Sequence, residues 1–548
     1  PQTPNPKPQT PNPKPLFLKI CQCRKEMCRI RCRIDFSIGR KDNSKMDQDR
    51  ITTLTDKNSI SEKFLSGKAS LAQEPEKTEE AKQKRPVLNY ILASVISFGG
   101  FYYGYCVGIL NPIGDPLLRK KFGYNGDTED DQNKRENVNG LLNNLFSVGA
   151  LFGVIFTGIL SDKYGRRFVL YGNDVLALLT NGLYFIESIE VLIFARFLAG
   201  ICAGTYGSIG PILTTELLPN SVGGFGNVLG YTFSTLATLL AYLTPFMFSM
   251  DYLVDHFQFF LCFVGIVPII RFLVIPPILK TDTPKYIFSK VHVDERRGRI
   301  AEIYSHIYVD HEVDRVTDET MLNLEKQLGK GKVGLKRLFS SKRYRPQLLS
   351  GLLVVFAQQA SGINVMLFYS TELFKKTDEH HGKAKDLTVF VGVANFIGAF
   401  IALYAVSKLG RKFNIVWGSL IQAIGMAVLF VGFKGGESGV CEAGIGLYML
   451  ANSIGLGGSR IAYISEILPP IGLSVALSLQ WLLTALIGQI SLTILGDMGA
   501  EFVVASLAVS CCIIFVVLNI MMIETKGKTE NRILDEFQNR KLHLCKFK

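Results

Sequence analysis

Apolar residues in this chain gather into long runs set apart by short polar stretches, with no strand-like alternation along them. Roughly 20 mostly apolar residues of helix cross a hydrocarbon core. Runs of that length predict spans at about 88–113, 138–160, 168–189, 191–214, 222–248 and 257–279, then at about 346–374, 387–407, 413–434, 440–467, 471–497 and 500–523. That makes twelve, six on each side of a charged interval near 280–345. One such run could be the core helix of a soluble protein. Twelve in series, with connections mostly too short to hold domains, predict an all-α, polytopic membrane protein. The expected organisation is a disordered basic tail (1–87), a six-helix half (88–279), a linker of short amphipathic helices (280–345), a second six-helix half (346–523) and a tail (524–548).

Composition narrows the classes further. Of 548 residues 48% are hydrophobic, too many for a largely disordered chain, and eleven Cys are too few for a disulfide scaffold. With 60 Lys+Arg against 47 Asp+Glu the net charge is +13, which permits a nucleic-acid binder until the charge is located. If both termini are cytoplasmic, 47 of the 60 basic residues fall on that side, including Lys163, Arg166, Arg167, Lys408, Arg411 and Lys412 of the short loops. The basic residues therefore report topology, and the bilayer replaces nucleic acid as the expected partner. The first 45 residues supply +8 of the total. They hold the repeat PQTPNPKPQTPNPKP and four Cys in CQCRKEMCRIRCR. A metal or lipid site there is weighed against an unstructured tail, or sequence upstream of a start at Met46, and the latter is expected. No nucleotide-binding loop, metal constellation or catalytic triad pattern is found, so neither an enzyme nor a cofactor is expected. No N-x-S/T sequon occurs.

The chain also repeats itself. SDKYGRR (161–167) and SKLGRKF (407–413) follow the second and eighth runs; TTELLP (214–219) and ISEILP (464–469) follow the fourth and tenth. TDTPK (281–285) and IETKGK (523–528) close the sixth and twelfth. Gly165 to Gly410 is 245 residues, Glu216 to Glu466 is 250, and Asp282 to Glu524 is 242. Two parallel halves of this kind suit a transporter that rocks about a midplane site. Arg166, Arg167 and Arg411 are expected to form an inner latch with Glu216 and Glu466, closed in one state and broken in the other. The alternative is plain positive-inside anchoring with solvated acids.

On these motifs the chain resembles the sugar-porter branch of the major facilitator superfamily, in particular its facilitative glucose transporters, over roughly 88–530. QQASGINVMLFYSTELF (358–374) is similar to the seventh-helix signature, and RFLAG (196–200) and ETKGKT (524–529) match other family motifs. The resemblance implies that Gln358, Gln359, Asn364 and Asn395 bind hexose hydroxyls, that Phe368 and Tyr369 close over the sugar from outside, and that Trp481 is the helix-eleven tryptophan. Tyr231 stands at the sugar-binding Gln of helix five, and Gln480 at the Asn preceding Trp481. The residue chemistry agrees, since amides donate and accept as a polyhydroxyl ring requires. Gly362 can bend the helix between the Gln pair and Asn364.

The chain departs from the family where Gly223 replaces a basic residue, which leaves Glu216 without that latch partner. It also departs at GLGGSRIAYISE (455–466), where Ile461 and Ser453 replace Trp and an acid. Arg196 matches a family position and is expected to pair structurally. Arg271 and Arg460 do not. An intramembrane Arg is costly unless paired, so each is read either as a contact for an anionic substrate or, preferred, as snorkelling or pairing with Glu466 or a cytoplasmic acid. Proton-coupled relatives carry an Asp where GYC places Cys106, which favours passive uniport; Asp174 is the remaining acid that could serve symport. The expected function is uniport of a small neutral hexose at the plasma membrane, for which a monomer suffices. A proton-coupled sugar or organic-anion carrier and a non-transporting sugar sensor are the alternatives.

Overall fold

The computed structural model describes residues 81–544 apart from 125, 127–128, 279–280, 330–334, 342–343, 376–383 and 529. The proline-rich repeat and the Cys cluster of the first 45 residues lie outside the described residues. Inside hydrocarbon every backbone N–H and C=O needs a partner within its own segment, so the apolar runs fold as helices. The first group comprises α1 (Pro86–Gly108), α2 (Leu110–Lys121), α3 (Glu129–Tyr164), α4 (Arg166–Leu183), α5 (Ile189–Leu217), α6 (Asn220–Met247) and α7 (Phe257–Pro276). Four helices follow in the charged interval: α8 (Pro284–Lys290), α9 (Val293–Ile307), α10 (Asp310–Gly329) and α11 (Leu335–Ser340). The second group is α12 (Arg345–Ala360), α13 (Ile363–Lys375), α14 (Ala384–Lys408), α15 (Arg411–Gly435), α16 (Ser438–Asn452), α17 (Arg460–Ile467) and α18 (Pro470–Met521). A π-helical turn, Ser453–Ser459, joins α16 to α17, and α19 (Glu530–Leu544) closes the described chain.

Ten helices among the described residues are long and apolar enough to cross a membrane. Two of the twelve expected spans, those forming α4 and α6, fall short of that measure although both are helical. On α4 the residues Asn173, Asp174, Thr180 and Asn181 are buried, and on α6 Thr232, Ser234, Thr235 and Thr238 are. Their polar groups face neighbouring helices, so sequence hydropathy under-reads them. Three further runs show how glycines set the boundaries, the first of them at the Gly362 bend the sequence allowed. The seventh run divides at Gly362 (φ 87°) into α12 and α13, while the last two join in α18 through a break at Gly499 (φ 81°).

Small residues let the helices approach closely, as is usual where lipid supplies no hydrophobic drive for association. At the α3–α5 crossing a Cβ on Gly149 or Gly153 would strike the carbonyls of Phe197 and Ile201. Large apolar side chains such as Phe156, Leu179, Phe194, Leu273, Phe400 and Ile520 stand exposed, the surface expected of helices packed in lipid. The amphipathic α9 buries Ile300, Ile303 and Tyr304 in one cluster with Leu92 of α1 and Leu213 and Leu217 of α5. The charged interval is thus fastened to one end of the bundle.

Candidate functional site

Two corners at that end are built alike. Gly165 and Gly410 precede α4 and α15 at φ 102° and 101°, a region essentially reserved for glycine. The helices they open have free N–H groups that need acceptors. Asp282 accepts from the backbone N–H of Arg166 and Arg167, both at 3.1 Å. Glu524 does the same for Arg411 at 2.9 Å and Lys412 at 3.1 Å. Burial works to raise the Glu524 pKa, but backbone N–H groups of Lys526, Arg411, Thr525 and Phe413 outweigh it and hold the carboxyl below its ordinary range. Asp282 and Glu524 are functional candidates that sequence reasoning passed over; their common offset in the repeat was the available signal.

Arg166 donates to Glu216 through Nε at 3.0 Å and Nη2 at 3.2 Å, and Arg411 donates to Glu466 Oε1 through Nε at 3.1 Å and Nη2 at 2.7 Å. Each pair joins elements of one repeat half, so neither bridges the two halves. The Arg167 guanidinium stands instead 5.3 Å from the ring centre of Tyr171. Glu216 also does not lack company: Thr283 Oγ1 donates to it at 2.7 Å and Lys285 Nζ lies at 3.3 Å. The interval after α7 doubles back to supply what Gly223 does not.

Deeper in the bundle is a cavity of about 130 Å³, walled by Tyr103 of α1, Tyr206 of α5, Tyr231 of α6, Arg460 of α17, and Gln480 and Trp481 of α18. Trp481 meets Tyr103 edge-on, with ring centres 5.4 Å apart. Arg460 Nη1 donates to Gln480 Oε1 at 2.7 Å. The Tyr231 hydroxyl donates toward Asn395 Oδ1 at 3.3 Å and Ser453 Oγ at 3.4 Å, while Ser453 donates to Asn395 at 2.6 Å. Of the expected binding residues, then, Tyr231, Gln480 and Trp481 share the wall, and Asn395 stands behind Tyr231. Gln358, Gln359 and Asn364 are buried but off the wall. The Asn364 amide donates to Gln359 Oε1 and, at 3.3 Å, to Thr484 Oγ1; that hydroxyl donates to the Gln480 carbonyl at 2.9 Å. The amides of α12 and α13 thus form a layer behind α18. Gln358 Oε1 makes no hydrogen bond there.

Phe368 and Tyr369 are both buried, and the backbone of α13 kinks at Tyr369. That stretch is held to the first group of helices from the end opposite Gly165. Asn111 donates to the Leu367 carbonyl at 3.2 Å and to Ser370 Oγ at 2.7 Å, and accepts from the Thr371 N–H at 3.2 Å. Tyr242 donates to the same Leu367 carbonyl at 2.5 Å. Asn144 and Gln489 link α3 to α18. Asn111 and Tyr242 were not singled out from sequence, although a polar Asn-Pro pair at the end of an apolar run was visible.

The three arginines within spans have different surroundings. Arg196 donates to the Cys106 carbonyl at 2.9 Å and to Asn143 Oδ1 at 3.4 Å, beneath the Phe146 ring. Arg271 does not reach Glu466 or a charged residue of the linker. It lies 3.7 Å from Asp174 Oδ1, both side chains fully buried, and stacks on Tyr206, whose hydroxyl donates to Asp174 at 2.6 Å. Arg460 likewise does not pair with Glu466, which is engaged by Arg411. Spacing along single helices could not show these pairings, because the partners come from different spans.

The family model described as "Sugar (and other) transporter" matches residues 92–537. A facilitated glucose transporter homolog of Caenorhabditis elegans is 31% identical over 342 residues, 60% of this chain and 64% of that protein. Facilitated glucose transporter protein 1 of the same organism is 26% identical over 476 residues, 82% and 90% of the two chains. Human solute carrier family 2, facilitated glucose transporter member 5, is 26% identical over 480 residues, 82% and 92%. Among solved structures, the major facilitator proton:xylose symporter XylE bound to 6-bromo-6-deoxy-D-glucose superposes with a TM-score of 0.69 at 20% identity, covering 82% of this chain and 99% of that one. The inward-open xylose transporter XylE from E. coli gives 0.64 at 19% identity, with the same coverage.

Proposed function

Because the chain belongs to the sugar (and other) transporter family, we propose that it carries a hexose such as glucose across the plasma membrane as a uniporter working by alternating access. It is an integral multi-pass membrane protein of the major facilitator fold, a carrier and not an enzyme. The observation that carries the hexose reading is the cavity. The Trp481 and Tyr103 rings offer a face for the C–H surface of a sugar, and Gln480 and the Tyr231 hydroxyl offer polar edges. Names of relatives such as facilitated glucose transporter protein 1 point the same way.

In this reading the twelve helices form two halves, and the Gly165–Gly410 end faces the cytoplasm with both termini, as the basic residues favour. The paired corners keep each half rigid, and the Asn111 and Tyr242 bonds to α13 seal the outer end beside Phe368 and Tyr369. Opening outward breaks those bonds and bends α13 at Gly362. Uniport is favoured because Cys106 stands where proton-coupled relatives carry an Asp, and Arg196 meets only its backbone carbonyl, at 2.9 Å, and the Asn143 amide. Asp174, fully buried beside Arg271, supports a second reading as a proton symporter.

Uptake of labelled glucose into proteoliposomes, with and without a pH gradient and an ionophore, tests both. Uptake blind to the gradient supports uniport, dependence on it supports symport, and absence of uptake and binding overturns the hexose assignment. Gln358 stands off the wall in this state with its Oε1 unbonded, and in this reading it reaches the sugar when α12 and α13 rearrange. Gln358→Ala is then expected to cut uptake about tenfold with folded protein retained, as loss of a polar partner worth about 1.4 kcal/mol would. Unchanged uptake removes Gln358 from the site.

A further inference from the structure

We infer that the cavity recognises the carboxylate of a monosaccharide acid, such as a hexuronate, with Arg460 as its counter-ion. This rests on the carrier reading above and replaces its neutral sugar with the corresponding acid. The π-helical turn Ser453–Ser459 adds a residue to a helical turn just before Arg460 and directs that side chain into the bundle, where it is 5% exposed. Its Nη1 is spent on the neutral Gln480 amide, and its Nε makes no hydrogen bond. The other ionisable side chains on the cavity wall are the phenols of Tyr103, Tyr206 and Tyr231, which carry no charge at neutral pH. Among the described residues no carboxylate pairs with it.

The contrast with the other two arginines is what assigns the site. Arg271 has Asp174, and Arg196 is met by a carbonyl and an amide and does not line this cavity. Arg460 is the one cation among the described residues lining the cavity. A buried cation without a counter-charge is costly, and an anionic ligand relieves that cost. A guanidinium presents parallel N–H donors that fit a carboxylate. A single positive charge suits a monoanion; a phosphate dianion would keep uncompensated charge in the bundle. Gln480, already accepting from Arg460, retains its NH₂ for a ring oxygen, and Trp481 and Tyr103 take the apolar face of the ring.

The test compares D-glucuronate, D-glucuronamide, D-glucose and glucose 6-phosphate binding to the full-length protein in lipid nanodiscs. Glucuronamide keeps the shape of the acid and removes its charge, so the comparison needs no variant. Glucuronate is expected to bind at least about tenfold tighter than the amide, the span of one charge-assisted hydrogen bond. Arg460→Gln should abolish that preference, and Arg460→Lys should keep part of it. Equal affinity for acid and amide, or tightest binding of glucose 6-phosphate, overturns the inference. Glucose bound or transported alongside that equality leaves the hexose carrier standing; no binding of any of the four overturns both readings.

Discussion

At the Gly165 corner Arg166 and Glu216 keep 6% and 13% of their side-chain surface exposed, whereas at the Gly410 corner Arg411 and Glu466 keep 20% and 30%. The backbones match to a degree in φ, and both helix starts are capped by a carboxylate from a later segment. What differs is the cover. Thr283 and Lys285, at the start of α8, close over Glu216, while Glu466 gains no such pair and its buried Oε2 is left without a hydrogen bond. The repeated motif dictates a glycine turn, a helix start and an acid to cap it. The depth of the ion pair is set by whatever chain follows, and the long charged interval follows the first half. The same motif can therefore be a buried structural element in one half and a more labile contact in the other.

Removing the acid of each pair should expose that difference most strongly. Glu216→Gln leaves the buried Arg166 only the exposed Asp162, at 3.4 Å, and is expected to cost about 2 kcal/mol, since most of the buried charge's compensation is lost. Glu466→Gln leaves the more exposed Arg411 and should cost about 1 kcal/mol. Thermal unfolding of the two variants in the same detergent measures the gap; equal losses would mean that burial does not distinguish the corners.

A smaller effect is expected from the glycines, again unequal. An L-residue at either position costs about 1–3 kcal/mol in backbone strain alone. A Cβ at Gly165 would also strike Asp282 Oδ2, whereas at Gly410 it would lie 2.7 Å from Glu524 Oε2. Gly165→Ala should therefore unfold at a lower temperature than Gly410→Ala. The reverse order would place the tighter corner in the second half.

These corners also show where sequence reading succeeds and where it stops. The glycines, the arginines and the partners Glu216 and Glu466 were legible because the chain states them twice at nearly one offset. The helical spans were legible because lipid demands uninterrupted apolar length, except where α4 and α6 turn Asn173, Asp174 or Thr235 inward. The cavity wall was half legible: Tyr231, Gln480 and Trp481 meet there, but the amides of α12 and α13 stand a layer behind. Asp282 lies 116 residues from the helix it caps, and Asp174 meets Arg271 from another span. Nothing in local spacing ties such residues together; packing does.

The least disruptive change isolates the cap itself. Glu524→Gln keeps the side chain's size and one carbonyl acceptor but removes the charge facing the N–H groups of Arg411, Lys412, Thr525 and Lys526. Loss of such a cap typically costs about 1 kcal/mol at neutral pH. Because the folded-state pKa of Glu524 is lowered, its contribution is fully present above the ordinary carboxyl pKa and disappears as pH falls through the folded value. Wild type and Glu524→Gln should therefore melt apart at neutral pH and draw together as the solution is acidified below the carboxylate range. Gln has no such titration, so its melting temperature carries only the acid response of the other groups. A gap that stays constant across that range would show that the oxygen geometry, and not the negative charge, secures the start of α15.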